Sequence, residues 1–148
     1  MKTIKGNLIK LAKAGKFDVI IHGANCFCTM GAGIALQIKK EFPLAYEADQ
    51  RTTKGDKTKL GYYTSVLIDS LWIINAYTQY DYRGPGRKAD YTAIRSVFRK
   101  IKNNFSGTKI AFPYIGAGLA GGSWKIISQI IEEELAGENF TLVKYDKI

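Results

Sequence analysis

The chain of 148 residues carries 22 lysines and arginines against 13 aspartates and glutamates, which gives a formal net charge of +9. This length suits one domain with a buried core, so we expect a single domain over residues 1–148. Apolar residues make up 46% and charged residues 24%, and there is no low-complexity run, which excludes a disordered chain.

No stretch approaches the length that spans a bilayer, and no apolar signal-peptide core follows the first lysines. We therefore expect a cytoplasmic protein that does not contact membranes. Cys26 and Cys28 are poorly spaced for a disulfide, and with a single histidine they provide too few ligands for structural zinc. We expect reduced thiols, no metal and no cofactor.

The surplus of basic residues indicates anionic partners such as nucleotides or nucleic acid. The lysines and arginines are scattered along the chain and are not interleaved with aromatic residues as in RNA-binding motifs. We therefore expect a solvated basic surface, and we do not expect specific binding of nucleic acid.

The first half of the chain predicts alternating strands and helices. Residues 3–5 predict a short strand and residues 8–14 a helix, with Asn7 between them as a helix cap. The apolar run at residues 19–21 predicts a buried strand, and residues 34–42 predict an amphipathic helix. Between these two elements lies a loop with two glycines, whose close-approaching backbone and following helix N-terminus favour phosphate.

The middle of the chain predicts a helix over residues 44–54, a surface loop over 56–59 and two antiparallel strands over 62–67 and 71–77. A long loop follows. It contains Asp81, Tyr82 and Arg83, which are candidates for contact with a substrate, although a solvated loop is the alternative for each.

The last third predicts a helix over residues 88–104, a second strand and glycine loop over 109–122, a helix over 124–135 and a final strand over 140–145. In an open α/β sheet, ligands bind beyond the carboxyl ends of the strands, so the two glycine loops are expected to enclose one pyrophosphate. The alternation of elements predicts a three-layer α/β/α sandwich with a mixed central sheet.

Four segments carry a resemblance to a known family: IKGN at residues 4–7, VIIHGANC at 19–26, MGAGIA at 30–35 and FPYIGAGL at 112–119. Together they resemble the macro domain family, and most closely its small yeast-type branch of ADP-ribose 1''-phosphate phosphatases. The resemblance implies ADP-ribose or ADP-ribose 1''-phosphate as the ligand, with an ADP-ribosylated protein as a further partner. In macro domains an acidic residue at the place of Asn7 often binds adenine, and an amide there offers both a donor and an acceptor.

The resemblance also implies the residues that contact ADP-ribose. They belong to the loops after the first two strands and to the second glycine loop: Gly6, Asn7, Gly23, Ala24, Asn25, Met30, Gly31, Ala32, Gly33, Ile34, Ala35, Tyr114, Ile115, Gly116, Ala117, Gly118, Leu119, Ala120 and Gly121.

The implied reaction is the hydrolysis of ADP-ribose 1''-phosphate to ADP-ribose and phosphate, without a metal. His22 matches a histidine of the yeast-type phosphatases and is the candidate general acid or base, with a structural histidine as the alternative. Asn25 would hold the distal ribose, and Asp81 is a further catalytic candidate.

Two other functions stay open. A related branch, the terminal ADP-ribose protein glycohydrolases, uses a lysine after the middle strand and an aspartate in the second glycine loop. This chain has Thr78-Gln79-Tyr80 and Leu119-Ala120-Gly121 in those places, so the same covalent mechanism is not expected, although release of ADP-ribose by a positioned water is possible. The third function is a reader that binds ADP-ribose and catalyses nothing.

Overall fold

The structure is a computed structural model, and it describes residues 1–145. Six strands form one sheet: β1 (Lys2–Gly6), β2 (Val19–Ala24), β3 (Tyr63–Ile68), β4 (Leu71–Tyr77), β5 (Lys109–Phe112) and β6 (Asn139–Tyr145). Five α-helices accompany them: α1 (Leu8–Lys13), α2 (Gly33–Glu41), α3 (Pro43–Gln50), α4 (Tyr91–Phe105) and α5 (Trp124–Glu134). None of the helices in this described part is long and apolar enough to cross a membrane.

The strand order is β1-β6-β5-β2-β4-β3, and among these described strands only the β3–β4 pair is antiparallel. This confirms the predicted mixed sheet and the predicted hairpin. All strands except β3 run in the same direction, so their carboxyl ends meet at one edge of the sheet, where ligands bind in such folds.

Apolar side chains fill both faces of the sheet. On one face, Ile20 and Ile73 pack with buried residues of α1, α2 and α3. On the other face, Ile21 and Ile74 pack with buried residues of α4 and α5. Successive side chains of a strand point to opposite faces, so each central strand contributes to both layers of the core. The result is the three-layer α/β/α sandwich that the sequence predicts.

Two regions differ from the prediction. Helix α3 begins at Pro43, which is favourable at a first helical position, but it ends at Gln50 and not near residue 54. The expected surface loop at residues 56–59 contains a short 3-10 helix (Lys57–Lys59) capped by the Asp56 side chain, and Lys59 is buried.

Candidate functional site

A cleft of about 310 Å³ lies at the edge where the parallel strands end. Its wall is formed by the ends of β2, β4 and β5 and by the two glycine loops: Gly23, Ala24, Asn25, Thr29, Gly31, Ala32, Gly33, Ile34, Ala35, Thr78, Gln79, Pro113, Tyr114, Ile115, Gly116, Gly118, Leu119 and Ala120. Fourteen of these residues are among the predicted ligand contacts, so the structure brings most of those contacts together.

A smaller cavity of about 150 Å³ adjoins the cleft and shares three lining residues with it, Gly33, Ile34 and Pro113. Gly6 and Asn7, the predicted contacts at the end of β1, line this second cavity. Together the two cavities form an extended site along the carboxyl edge of the sheet.

The first glycine loop presents the N-terminus of α2 to the cleft. Ala32 is the N-cap residue, and its side chain makes no capping hydrogen bond. The first amides of a helix have no intrahelical acceptor, and the helix dipole adds partial positive charge there. Gly33, Ile34 and Ala35 line the cleft, so these amides can bind an anion.

The second glycine loop is folded by its own backbone hydrogen bonds and is attached to the segment before α4. Gly122 donates to the Gly116 carbonyl at 2.7 Å, and Gly116 has a φ of +73° that favours glycine. The Ala120 carbonyl accepts from the amides of Lys88 at 2.7 Å and Ala89 at 3.1 Å.

Within the described chain, the amides of Gly118, Leu119 and Ala120 donate to no backbone carbonyl. These unpaired donors lie on the wall opposite the start of α2. Leu119 is 84% exposed, and its Cδ1 would be 3.9 Å from a Cβ placed on Gly33, so the two loops approach each other at this point.

Asn25 lines the cleft, but its amide group also builds the loop that follows β2. Its Nδ2 donates to the Thr29 Oγ1 at 2.8 Å and to the Thr29 carbonyl at 3.1 Å, and its Oδ1 accepts from the Phe27 amide at 2.8 Å. The side chain is therefore held in one orientation, with one lone pair of Oδ1 available to a ligand.

His22 does not line the cleft. Its side chain is fully buried on the face of the sheet that packs against α3, and its Nε2 lies 2.6 Å from the Asn75 Oδ1. Asn75 donates its Nδ2 to the Ala45 carbonyl and to the Thr64 Oγ1, so its Oδ1 accepts from His22.

Burial lowers the pKa of His22 to about 4, and this effect outweighs the hydrogen bond to Asn75. A neutral imidazole that is sealed from the cleft cannot exchange protons with a substrate there. The position of His22 therefore favours the structural alternative over the expected general acid or base.

Asp81 also lies outside both cavities. Its carboxylate pairs with the Arg83 guanidinium at 3.0 Å, and hydrogen bonds from Arg83 hold the pKa of Asp81 below its usual value. The expected catalytic role of Asp81 therefore has no support in its position.

Three predicted ligand contacts are structural in this arrangement. Met30 is 2% exposed and packs in the core, Ala117 packs against the core on the other face, and Gly121 lies against the backbone of Arg87. The cleft adds Thr29, Thr78, Gln79 and Pro113, which the sequence analysis did not predict as contacts.

Thr78 and Gln79 follow β4 directly, at the sheet edge beside β2. Their position immediately after a strand places them at an end of the sheet, but they reach the cleft because β4 lies beside β2, a pairing for which the sequence has no local signal. Thr78 is 1% exposed, and its Oγ1 would lie 2.8 Å from a Cβ placed on Gly23, so glycine is required there. Tyr114 is the only ionisable side chain among the residues that line the 310 Å³ cleft.

Comparison with known proteins gives three informative relatives. An uncharacterized 17.5 kDa protein in the tk-vs intergenic region of Enterobacteria phage T4 is 35% identical over 158 residues, covering 100% of this chain and 98% of that protein. A DNA ADP-ribosyl glycohydrolase of Thermus aquaticus is 27% identical, covering 91% of this chain and 38% of that protein. The ADP-ribose glycohydrolase OARD1 of Bos taurus is 26% identical, covering 96% of this chain and 88% of that protein.

Solved structures share the fold. A crystal structure of a protein from Bacteroides thetaiotaomicron has a TM-score of 0.77 and 26% identity, covering 85% of this chain and 88% of that chain. The macrodomain of Thermus aquaticus DarG has a TM-score of 0.73 and 23% identity, covering 98% of this chain and 97% of that chain.

The two relatives above whose names state an activity are glycohydrolases, so the resemblance to the phosphatase branch stays a prediction. The resemblance to the family itself is confirmed. The macro domain model matches residues 21–131, and the chain belongs to the macro domain family.

Proposed function

We propose that the cleft binds an ADP-ribosyl group and that the protein releases ADP-ribose from a modified macromolecule by hydrolysis. The observation that carries this proposal is the pairing of two sets of unpaired backbone amides across one cleft, at the start of α2 and at Gly118, Leu119 and Ala120. Amides that converge on one point bind a diphosphate without a charged side chain, and they orient whatever is attached to it.

The adjoining cavity at Asn7 would take the base. The Asn7 Oδ1 accepts from the Lys10 amide at 3.0 Å as the cap of α1, which leaves the Nδ2 donors to face a ligand. The diphosphate would then lie between the glycine loops, and the distal ribose would reach the end of the cleft formed by Asn25, Thr29 and Gln79.

Hydrolysis at this end would break the bond between the anomeric carbon of the distal ribose and the leaving group, with water supplying the new hydroxyl. Gln79 stands near the place where the glycohydrolase branch carries its lysine, and the lining residues within the described range 1–145 include no carboxylate or imidazole to form a covalent intermediate. The Asn25 Oδ1 and the substrate's own phosphate oxygens would orient the water, and the leaving group would take up a proton from solvent.

Hydrolysis of ADP-ribose 1''-phosphate is the second candidate, because the amides that bind a diphosphate can also bind a phosphoryl group. This reaction would lack the general acid expected for it, because His22 is buried away from the cleft. The first candidate is therefore preferred.

Calorimetry with ADP-ribose tests the binding step, and Gly118→Val is the informative variant. A Cβ on Gly118 meets no atom within 4 Å, so the new side chain fits the free protein but occupies the space of the diphosphate. We expect at least a tenfold loss of affinity with an unchanged melting temperature. The control is Ala136→Val, an exposed residue just beyond the opposite end of α5, which should bind like the wild type.

Turnover is then measured with three substrates: an ADP-ribosylated protein, an ADP-ribosylated single-stranded DNA and ADP-ribose 1''-phosphate. Release of ADP-ribose from either macromolecule supports the proposed hydrolase. Release of phosphate alone would favour the second candidate. Binding without any turnover would identify a reader, and the absence of ADP-ribose binding would refute the whole proposal.

A further inference from the structure

A third cavity, distinct from the cleft and from the cavity at Asn7, opens beside the β3–β4 hairpin and has a volume of about 420 Å³. It is lined by hydroxyl-bearing side chains and one lysine: Thr52, Thr58, Lys59, Tyr62, Tyr63, Thr64 and Tyr77. None of these residues lines the cleft or the adjoining cavity at Asn7.

Lys59 is the unusual member of this lining because it is only 9% exposed. Its Nζ donates to the Thr52 Oγ1 at 2.8 Å, makes a long contact of 3.7 Å with the Cys28 Sγ and lies 5.3 Å from the centre of the Tyr77 ring. Within residues 1–145, the ion pairs of 4.0 Å or less do not include Lys59. An ammonium group has three donors, so two of them have no oxygen acceptor in this part of the chain.

Three neighbouring hydroxyl groups, those of Tyr77, Thr52 and Thr58, cannot donate to an anion because each already donates a hydrogen bond within the protein. Tyr77 donates to the Asp49 Oδ1 at 2.8 Å, Thr52 donates to the Asp49 carbonyl at 2.7 Å, and Thr58 donates to the Asp56 Oδ1 at 2.7 Å. The carboxylate of Asp49 is thus held by Tyr77, outside ion-pair distance of Lys59.

Tyr63 is different. Its hydroxyl oxygen accepts from the Asn104 Nδ2 at 2.6 Å, and its proton remains available. That hydroxyl, however, lies with Asn104 on the α4 face of the sheet, whereas Lys59 lies with Thr52 and Tyr77 on the α3 face. The buried donor of the cavity is therefore the Lys59 ammonium.

We propose that this cavity is a binding site for a small oxyanion, a carboxylate or phosphate group, held by the Lys59 ammonium. The carboxylates of Asp49 and Asp56 interact with the Lys59 charge from beyond ion-pair distance, and an oxyanion in the open space of the cavity would bind the ammonium directly. The hydrogen bonds would be charge-assisted, which makes them stronger than those between neutral groups.

The site is independent of the proposed function, because it lies on the other side of the loop that follows β2. In that loop, Cys28 contacts Lys59, whereas the next residue, Thr29, lines the cleft. A ligand can therefore occupy the Lys59 cavity whether or not the cleft binds ADP-ribose.

The test is an NMR titration of the full chain with inorganic phosphate and, separately, with acetate, at constant ionic strength set with chloride. We expect the Lys59 side-chain CH2 signal next to Nζ and the amide signals of Tyr63 and Thr64 to shift and saturate. In Lys59→Met the amide shifts should need roughly tenfold more anion or more, the usual effect of losing a hydrogen bond to a charged group. Lys57→Met removes the same charge from the same short helix at an exposed residue, and its titration should match the wild type.

A saturating response to phosphate alone, to acetate alone or to both supports the proposal and identifies the preferred oxyanion. Absence of a Lys59 side-chain shift with either anion in the wild-type protein overturns it, and this measurement does not depend on whether the variant folds. Equal affinities in the wild type and Lys59→Met also overturn it. Repeating the titration in excess ADP-ribose separates this site from the cleft, since the shifts at Tyr63 and Thr64 should persist.

Discussion

Replacing His22 by glutamine tests whether this histidine is a sealed, neutral part of the core. The glutamine Nε2 can donate to the Asn75 Oδ1 as the imidazole Nε2 does, but glutamine does not titrate. The substitution therefore removes the protonation of residue 22 while it retains the buried hydrogen bond.

The magnitude follows from the pKa of His22, which burial lowers from 6.5 to about 4 in the folded protein. Between these two values the unfolded chain binds a proton that the folded chain does not, so the free energy of unfolding falls as the pH decreases. The wild type should lose about 1 kcal/mol from this group between pH 7.5 and 5.5, and about 2–3 kcal/mol between pH 7.5 and 4.5, with no further loss well below pH 4.

Urea unfolding of both proteins at pH 7.5, 5.5 and 4.5 measures this loss. Other groups titrate over the same range, but they are common to both proteins, so the difference between wild type and variant isolates His22. We expect His22→Gln to gain stability relative to the wild type by the amounts above, with equal denaturant slopes. A difference that does not change with pH would show that the histidine titrates normally, and it would make His22 once more a candidate to act in the cleft.

Three further predictions concern packing and recognition. Gly122→Ala should destabilise the protein by about 2–3 kcal/mol, because a Cβ there would lie 2.5 Å from the Gly116 carbonyl oxygen and 2.8 Å from the Ile127 Cδ1. The control is Gly118→Ala, whose Cβ would have no atom within 4 Å. Equal melting temperatures of the two variants would contradict this close packing of the loop. Asn75→Ala should cost about 3 kcal/mol in urea unfolding, because it leaves His22, the Ala45 carbonyl and Thr64 without their shared partner; a loss below about 1 kcal/mol would refute the buried network. Asn7→Asp keeps an acceptor for the Lys10 amide and adds a second acceptor toward the adjoining cavity. Calorimetry should therefore show several-fold tighter binding of ADP-ribose but not of its hypoxanthine analogue. Unchanged affinity for both ligands would show that Asn7 does not contact the base.

The sequence was sufficient to predict the two glycine loops and their convergence, because this inference needs only local signals. Each loop follows an apolar strand and precedes a helix, and parallel strands end at one edge of the sheet. The spacing of apolar residues, which is also a local signal, predicts the buried face of α4 and the β3–β4 hairpin.

The role of His22 could not be obtained in this way. It depends on β4 lying parallel to β2 in a register that pairs His22 with Asn75 across the sheet. The sequence analysis placed β4 in a hairpin with β3, which is right, but it had no signal for the other neighbour of β4. The same missing contact hid Thr78 and Gln79, since residues after β4 reach the cleft only because β4 lies beside β2.

Lys59 was missed for a related reason. A lysine in a polar segment with two neighbouring lysines is typical of a solvated loop. Its burial arises from contacts with Thr52, which follows α3, and with Tyr77 of β4. Contacts of this kind are set by tertiary packing and not by local composition.

The Ala120 carbonyl connects the second glycine loop to the segment before α4, since it accepts hydrogen bonds from the amides of both Lys88 and Ala89. An outward movement of Ala120 would break both of these hydrogen bonds. Ala89 is also bridged to Gln79 on the floor of the cleft. The second glycine loop is therefore connected through Ala89 to Gln79 in the cleft wall, so a displacement of Ala120 would be transmitted to Gln79.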